Sequence, residues 1–197
     1  KANKIKSLII DGDFFDFQTI SKFKKDADHK LKLEFTMGRK ILQSLLNQFD
    51  EIYLIPGNHD ERLGRFVDYE FDLNFLFEVL IPDNKISITS YRYCILNENW
   101  RITHPHNYSK VKGSVAQELA DVHQMNIIMG HTHYTSFSYN KSGTFECYEI
   151  GGLFDKNKIE YYNVKDTRNP KWNNGFGIYL DGYFTLFHEK SNFSKWT

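Results

Sequence analysis

Ile127-Ile128-Met129-Gly130-His131-Thr132-His133 runs three apolar residues into a glycine and then into two histidines one residue apart. After Asn126 the apolar run reads as a short buried strand, and Gly130 lets the backbone turn sharply because no Cβ obstructs it. The histidines therefore belong on a loop at the carboxyl end of a strand. In open α/β sheets that end is where ligands sit, and neutral imidazole is the commonest transition-metal ligand. Alone, the pair has two readings: metal ligands, or a packed or surface pair of histidines. Whether other strands end in comparable residues decides between them.

Three more do. Ser7-Leu8-Ile9-Ile10 is a short apolar strand that ends in Asp11-Gly12-Asp13-Phe14-Phe15-Asp16. Carboxylates this close repel one another unless a cation or strong donors offset the charge; the plainer reading is a turn rich in Asp and Gly. Ile52-Tyr53-Leu54-Ile55 ends in Pro56-Gly57-Asn58-His59-Asp60-Glu61-Arg62, which presents an amide, an imidazole, two carboxylates and a guanidinium. Asparagine oxygen can ligate a metal or orient a phosphate, histidine can ligate or act as a general acid, and Asp60 can hold the imidazole in one tautomer. Trp100 to Thr103 reads as a strand ending in His104-Pro105-His106, with His104, nearest the strand, preferred over His106 as a ligand.

Between these ends the chain alternates helix and strand. Gln18 to Lys32 is polar and reads as a surface loop or flap. From about Glu34, the residues Met37, Ile41, Leu42, Leu45, Leu46 and Phe49 recur at helical spacing, which predicts an amphipathic helix covering a sheet. A right-handed crossover would set the strand at 52–55 parallel to the first. Leu63 to Leu80 is mixed, helical around Leu73 to Leu80 and stopped by Pro82. Ile86 to Ser90 and Tyr91 to Leu96 read as strands, with Asn97-Glu98-Asn99 as a turn. A helix from about Gly113 to His123 would bury Val115, Leu119 and Val122, with His123 favourably placed in its last turn. Tyr134 to Tyr139 and Thr144 to Ile150 bracket the turn Asn140-Lys141-Ser142-Gly143. Asp155 to Asn174 is expected to be a long loop. Phe176 to Leu180 and Tyr183 to His188 flank Asp181-Gly182, a strong hairpin signal, and His188 is a strand or surface histidine.

Composition bounds the rest. A chain of 197 residues suits one domain, or one with an appendage. Lys+Arg and Asp+Glu are both 25, so no global field draws in nucleic acid or an anionic membrane, although a local basic groove is left open. No run approaches the roughly 18 apolar residues of a membrane span, and no signal peptide is expected from the opening residues. Cys94 and Cys147 are far apart and read as ordinary strand residues, which makes a reducing cytoplasm the expected compartment.

Taken in order, GDFFD, GNHD, a histidine after a strand, and GHTH resemble the motifs of the calcineurin-like metallophosphoesterase superfamily, over about Ser7 to His133. The resemblance implies an α/β fold of two packed mixed sheets flanked by helices, a four-layer sandwich, in a single domain spanning 1–197. It also implies two divalent metal ions at the strand ends. Asp13 would bridge the two, Asn58, His104 and His131 would complete one set of ligands, and His133 would serve the other. His59 would contact the phosphate and assist the leaving group, with Asp60 orienting it and Asp16 supporting the site from behind. Mixed O and N ligands suit Mn, Fe or Zn better than Ca, with Mn favoured.

The family's opening Asp-x-His, which supplies two ligands to the metal that His133 serves, has no counterpart in Lys1 to Lys6. The chain is therefore expected to be N-terminally incomplete and to lack the family's first strand. The activity implied is phosphoester hydrolysis by metal-bound hydroxide. GNHD followed by Arg62 and Arg65, either substrate contacts or surface ion-pair partners, leans toward a phosphodiesterase or nuclease acting on nucleotides or nucleic acid. The competing reading is a catalytically impaired scaffold that docks a partner.

Overall fold

Ser7–Asp11 (β1) and Glu51–Ile55 (β2) are short runs rich in branched apolar residues, and they pair in parallel, with Ser7 opposite Glu51 and Asp11 opposite Ile55. Ile86–Ile88 (β3) adds to the other side of β2, also in parallel. This strand is shorter than the expected 86–90. In the computed structural model, which describes residues 5–22, 30–71, 73–155 and 172–192, these strands belong to the first of two units. The units are Lys1–Cys94 and Ile95–Thr197.

Helix α1, Leu31–Leu46, connects β1 to β2, so the expected strand, helix, strand order holds. Its buried face is the expected one in part: Leu42 is buried and Leu45 and Leu46 pack on the core, whereas Met37 and Ile41 are about half exposed and Leu31, Phe35 and Gly38 take their place inward. The cause is Phe15: a Cβ on Gly38 would lie 2.2 Å from its ring, so the bare glycine lets the ring sit against the helix and turns that side inward. Phe15 stacks on Phe17 at 4.9 Å and meets Phe35 and Phe77 at 5.4 and 5.6 Å. Burial of Leu42 and Ile52 in the same core contributes roughly 1.5–3 kcal/mol per side chain.

The segment expected as a polar loop is only partly one. Gln18–Ile20 forms a turn of 3-10 helix, with Gln18 and Ser21 buried; residues 23–29 lie outside the described ones. Glu61–Phe66 (α2) and Leu73–Leu80 (α3) follow β2, and α3 matches the helix expected there.

In the second unit Trp100–Thr103 (β5), Asn126–Met129 (β6) and Glu146–Ile150 (β8) form a parallel run, and Thr135–Tyr139 (β7) pairs antiparallel with β8. Tyr93–Leu96 (β4), within which the two units divide, lies beside β5, giving the order β4-β5-β6-β8-β7. Helix α4, Ser114–His123, packs on this sheet through Val115, Ala116 and Ala120. Val122, expected in the buried stripe, is 68% exposed, because two alanines bring the helix close along a neighbouring face. His123 is in the last turn, as expected, where burial and then the charge of Arg101 push its pKa down.

Gly175–Leu180 (β9) and Tyr183–His188 (β10) form the expected hairpin around Asp181 and Gly182, both at positive φ. Phe184 and Tyr179 pack on Trp100, and Phe184 on Tyr148. His188 is exposed. Of the long loop expected at 155–174, residues 156–171 lie outside the described ones, whereas Trp172 is buried. The architecture is mixed α/β, with several sheets flanked by helices. Among the described residues no helix is long and apolar enough to cross a membrane.

Candidate metal centre

In the first unit, two strand ends lie side by side because β1 and β2 are in parallel register. After β1 the chain passes through Gly12 and Asp13 at φ 75 and 54. A left-handed backbone is free for glycine but strained for aspartate, and such strain persists only where its surroundings over-determine it. Here they do. Asp13 Oδ1 accepts the His59 backbone N–H at 2.8 Å. Gly57 lies so close that an added Cβ would sit 2.1 Å from Asp13 Oδ1 and 2.2 Å from its backbone nitrogen. The glycine of GNHD is therefore what lets the turn after β2 close on the aspartate of GDFFD.

Asp60, 2% exposed, stitches the same two turns. Its Oδ1 accepts the Phe15 N–H at 2.9 Å and its Oδ2 the Gly57 N–H at 2.8 Å. The orienting role expected of Asp60 toward His59 falls instead to Asp16, whose Oδ1 lies 2.6 Å from His59 Nδ1. A carboxylate facing Nδ1 fixes the proton on that nitrogen and leaves Nε2 to face a ligand.

Arg62 holds Asp16 in turn, donating from Nη1 to the Asp16 carbonyl at 2.5 Å and to Oδ1 at 2.9 Å. Burial disfavours the Asp16 charge, but the His59 hydrogen bond and the His59 and Arg62 charges outweigh it and hold the carboxyl below its ordinary range. Arg65 donates to the Asn58 carbonyl at 3.0 Å and pairs with Glu61, and Glu61 is gripped by two nitrogens of Arg92 at 2.5 Å. The two arginines, expected as either substrate contacts or ion-pair partners, are thus tied to the turns that present Asn58 and His59.

In the second unit, β5 delivers His104 and β6 delivers His131. His104 is 1% exposed, whereas His106 is exposed. The His104 and His131 rings lie 5.0 Å apart in an edge-to-face arrangement, with ring nitrogens within 4.8 Å of each other. Two imidazoles so placed, one fully buried, repel each other if protonated and form a ready pair of ligands when neutral. The donor set therefore fits a transition metal. His133 lies against Trp172 and Phe154, with ring centroids at 4.8 and 5.1 Å, and its carbonyl accepts the Asn173 N–H at 2.9 Å. His131 and His133 both have positive φ, 73 and 61.

Glu149 drew no notice in the sequence, yet it is completely buried and anchors this loop. Its Oε1 accepts from Thr132 Oγ1 at 3.1 Å, and its Oε2 from Ser136 Oγ and the Gly113 N–H, each at 2.8 Å. The signal was faint: a glutamate within a run that becomes an inner strand must be paired, but that inference needs the strand order.

A family model described as calcineurin-like phosphoesterase matches residues 1–162. No curated protein matches the chain.

Proposed function

The chain belongs to the calcineurin-like phosphoesterase family, and from that premise we propose that it is a phosphodiesterase, with nucleotides or nucleic acid as the favoured substrates. Metal-dependent hydrolysis of a phosphoester is the family's general activity; the diester preference, the metal and the residue roles are this reading's own. Asp13, Asn58, His104 and His131 would hold one divalent cation. His133 would serve a second, with Asp13 shared between them. A mixed set of carboxylate, amide and imidazole donors suits Mn²⁺, with Fe or Zn²⁺ as alternatives. When bound, such cations supply Lewis acidity toward phosphate oxygens and an activated water near neutral pH.

The observation that carries the reading is the His59–Asp16 pair under the Arg62 clamp. With Nδ1 committed to Asp16, the His59 ring has Nε2 for a phosphate oxygen or the leaving group, where a proton donated in the transition state accelerates expulsion. Arg62 keeps Asp16 from turning away. Asp60 keeps the turn that carries Asn58 and His59 closed on the one that carries Asp13. A scaffold that merely docks a partner has no use for such an oriented imidazole.

The test is hydrolysis of bis-p-nitrophenyl phosphate against p-nitrophenyl phosphate with added Mn²⁺. Faster cleavage of the diester, abolished by chelation, is the expected result. Preference for the monoester, or turnover indifferent to chelation, contradicts it.

A further inference from the structure

We propose that Glu149 is a positioning residue for the loop that carries His131 and His133, acting through the hydroxyl of Thr132; this rests on the reading of those two histidines as metal ligands. Thr132 is the residue between them, so any rotation of its backbone swings both imidazoles. Its side chain is 1% exposed and its hydroxyl donates to Glu149 Oε1. Its N–H closes a tight turn on the Gly130 carbonyl at 2.9 Å.

The loop needs an external anchor. Two histidines one residue apart, both at positive φ, are a backbone state that side-chain-bearing residues hold only where their surroundings over-determine it. Glu149 supplies that from a rigid base. It lies in β8, opposite Met129 of β6 on one side and Ser136 of β7 on the other. Its second oxygen takes the Ser136 hydroxyl and the N–H of Gly113, the residue just before α4. One carboxylate thus ties the histidine loop to two strands and a helix start.

Stability alone is a poor reason to keep it. A buried carboxylate is costly to desolvate even when satisfied, and a well-packed apolar side chain is often the more stable choice. Positioning is the better reason, because residues that hold metal ligands in place commonly change metal affinity by 10–100-fold when altered.

Two roles are separable because Thr132 and Ser136 bond different oxygens of the same carboxylate. Mn²⁺ alone is titrated calorimetrically into wild-type, Thr132→Val, Thr132→Ser and Ser136→Ala chains, with thermal melting of each metal-free chain alongside. Thr132→Val is expected to weaken Mn²⁺ binding about 10-fold, and Thr132→Ser to restore it. Ser136→Ala should lower the melting temperature comparably and leave Mn²⁺ affinity unchanged. Should Thr132→Val fail to fold, Thr132→Ala, which removes the same hydroxyl and leaves the Ser136 and Gly113 bonds in place, makes the same comparison. Equal Mn²⁺ affinity in wild type and Thr132→Val, or equal weakening by Ser136→Ala, overturns the inference. A wild-type chain that binds no Mn²⁺ overturns the ligand reading, and this inference with it.

Discussion

His59 Nδ1 lies 2.6 Å from Asp16 Oδ1, and Arg62 Nη1 reaches the same oxygen at 2.9 Å. Replacing Asp16 by Asn keeps the volume but removes the charge that orients the ring. We expect Asp16→Asn to lower turnover of a diester by roughly 10–100-fold with metal content unchanged, on the scale typical of groups that orient catalytic or ligating histidines. Steady-state kinetics beside elemental analysis checks this; loss of metal in Asp16→Asn would contradict it.

The same carboxylate has a pH signature. Burial opposes its charge, but the hydrogen bond from His59 and the His59 and Arg62 charges hold its pKa below the ordinary value. A depressed carboxylate contributes stability above its unfolded pKa, and that contribution is lost as pH falls through the folded value. Because the Asp16 side chain is half exposed, solvent screening limits the effect to about 1 kcal/mol or less. The melting-temperature gap between wild type and Asp16→Asn should stay constant across neutral pH and close only below about pH 4. A gap that widens in acid would refute the assignment.

Gly57→Ala would place a methyl 2.2 Å from the Asp13 backbone nitrogen and 2.1 Å from Oδ1. The side chain can rotate away, but the backbone nitrogen cannot, so the two turns must separate. Overpacking of this kind costs about 1–3 kcal/mol, and here it also displaces a proposed ligand. Melting temperature and metal content should fall together; a fully stable, metal-loaded Gly57→Ala would show that the turns do not need this approach.

Gly38→Ala sets two effects against each other. Alanine in a helix interior gains about 1 kcal/mol over glycine. The new Cβ, however, would meet Phe15 at 2.2 and 2.6 Å, and that ring is held by Phe17, Phe35 and Phe77. Overpacking wins, and chemical denaturation should find Gly38→Ala less stable than wild type by about 1–2 kcal/mol. A stabilised variant would mean that the aromatic cluster yields.

Cys94 and Cys147 are both pushed up to about 11, chiefly by burial, with Asp11 adding to the first and Asp121 and Glu146 to the second. A thiol whose folded pKa is raised contributes stability that is complete below its unfolded value and lost as pH rises through about 11. At pH 8 the thiolate fraction is then about 100-fold below that of an ordinary thiol at 9.0. Alkylation by iodoacetamide at that pH should be correspondingly slow in the native chain and rapid in denaturant. Fast native labelling would contradict the burial.

Strand-end chemistry was legible because it is local: a short apolar run followed by Asp13, Asn58, His104 or His131 can be read without knowing strand order. What the sequence hid depends on neighbours distant in the chain. The inward placement of Gly38 on α1, with Met37 and Ile41 left about half exposed, follows from Phe15, more than twenty residues upstream. The exposure of Val122 follows from the close approach that Ala116 and Ala120 permit. That Asp16 and not Asp60 faces the His59 ring was hidden too, because the carboxylate adjacent in sequence to His59 turns inward to cap backbone N–H groups and the one beside the ring comes from the other turn. Glu149 was invisible because only the β6-β8-β7 order makes its strand an inner one.

The most direct test of a metal-dependent hydrolase with separate ligand and proton-donor roles is metal content per chain, measured with diester turnover, for wild type, Asp13→Ala and His59→Ala. Wild type should hold metal and turn over, Asp13→Ala should lose both, and His59→Ala should keep its metal and lose most turnover. Equal loss of metal in the two variants, or turnover by a metal-free wild type, would contradict the account.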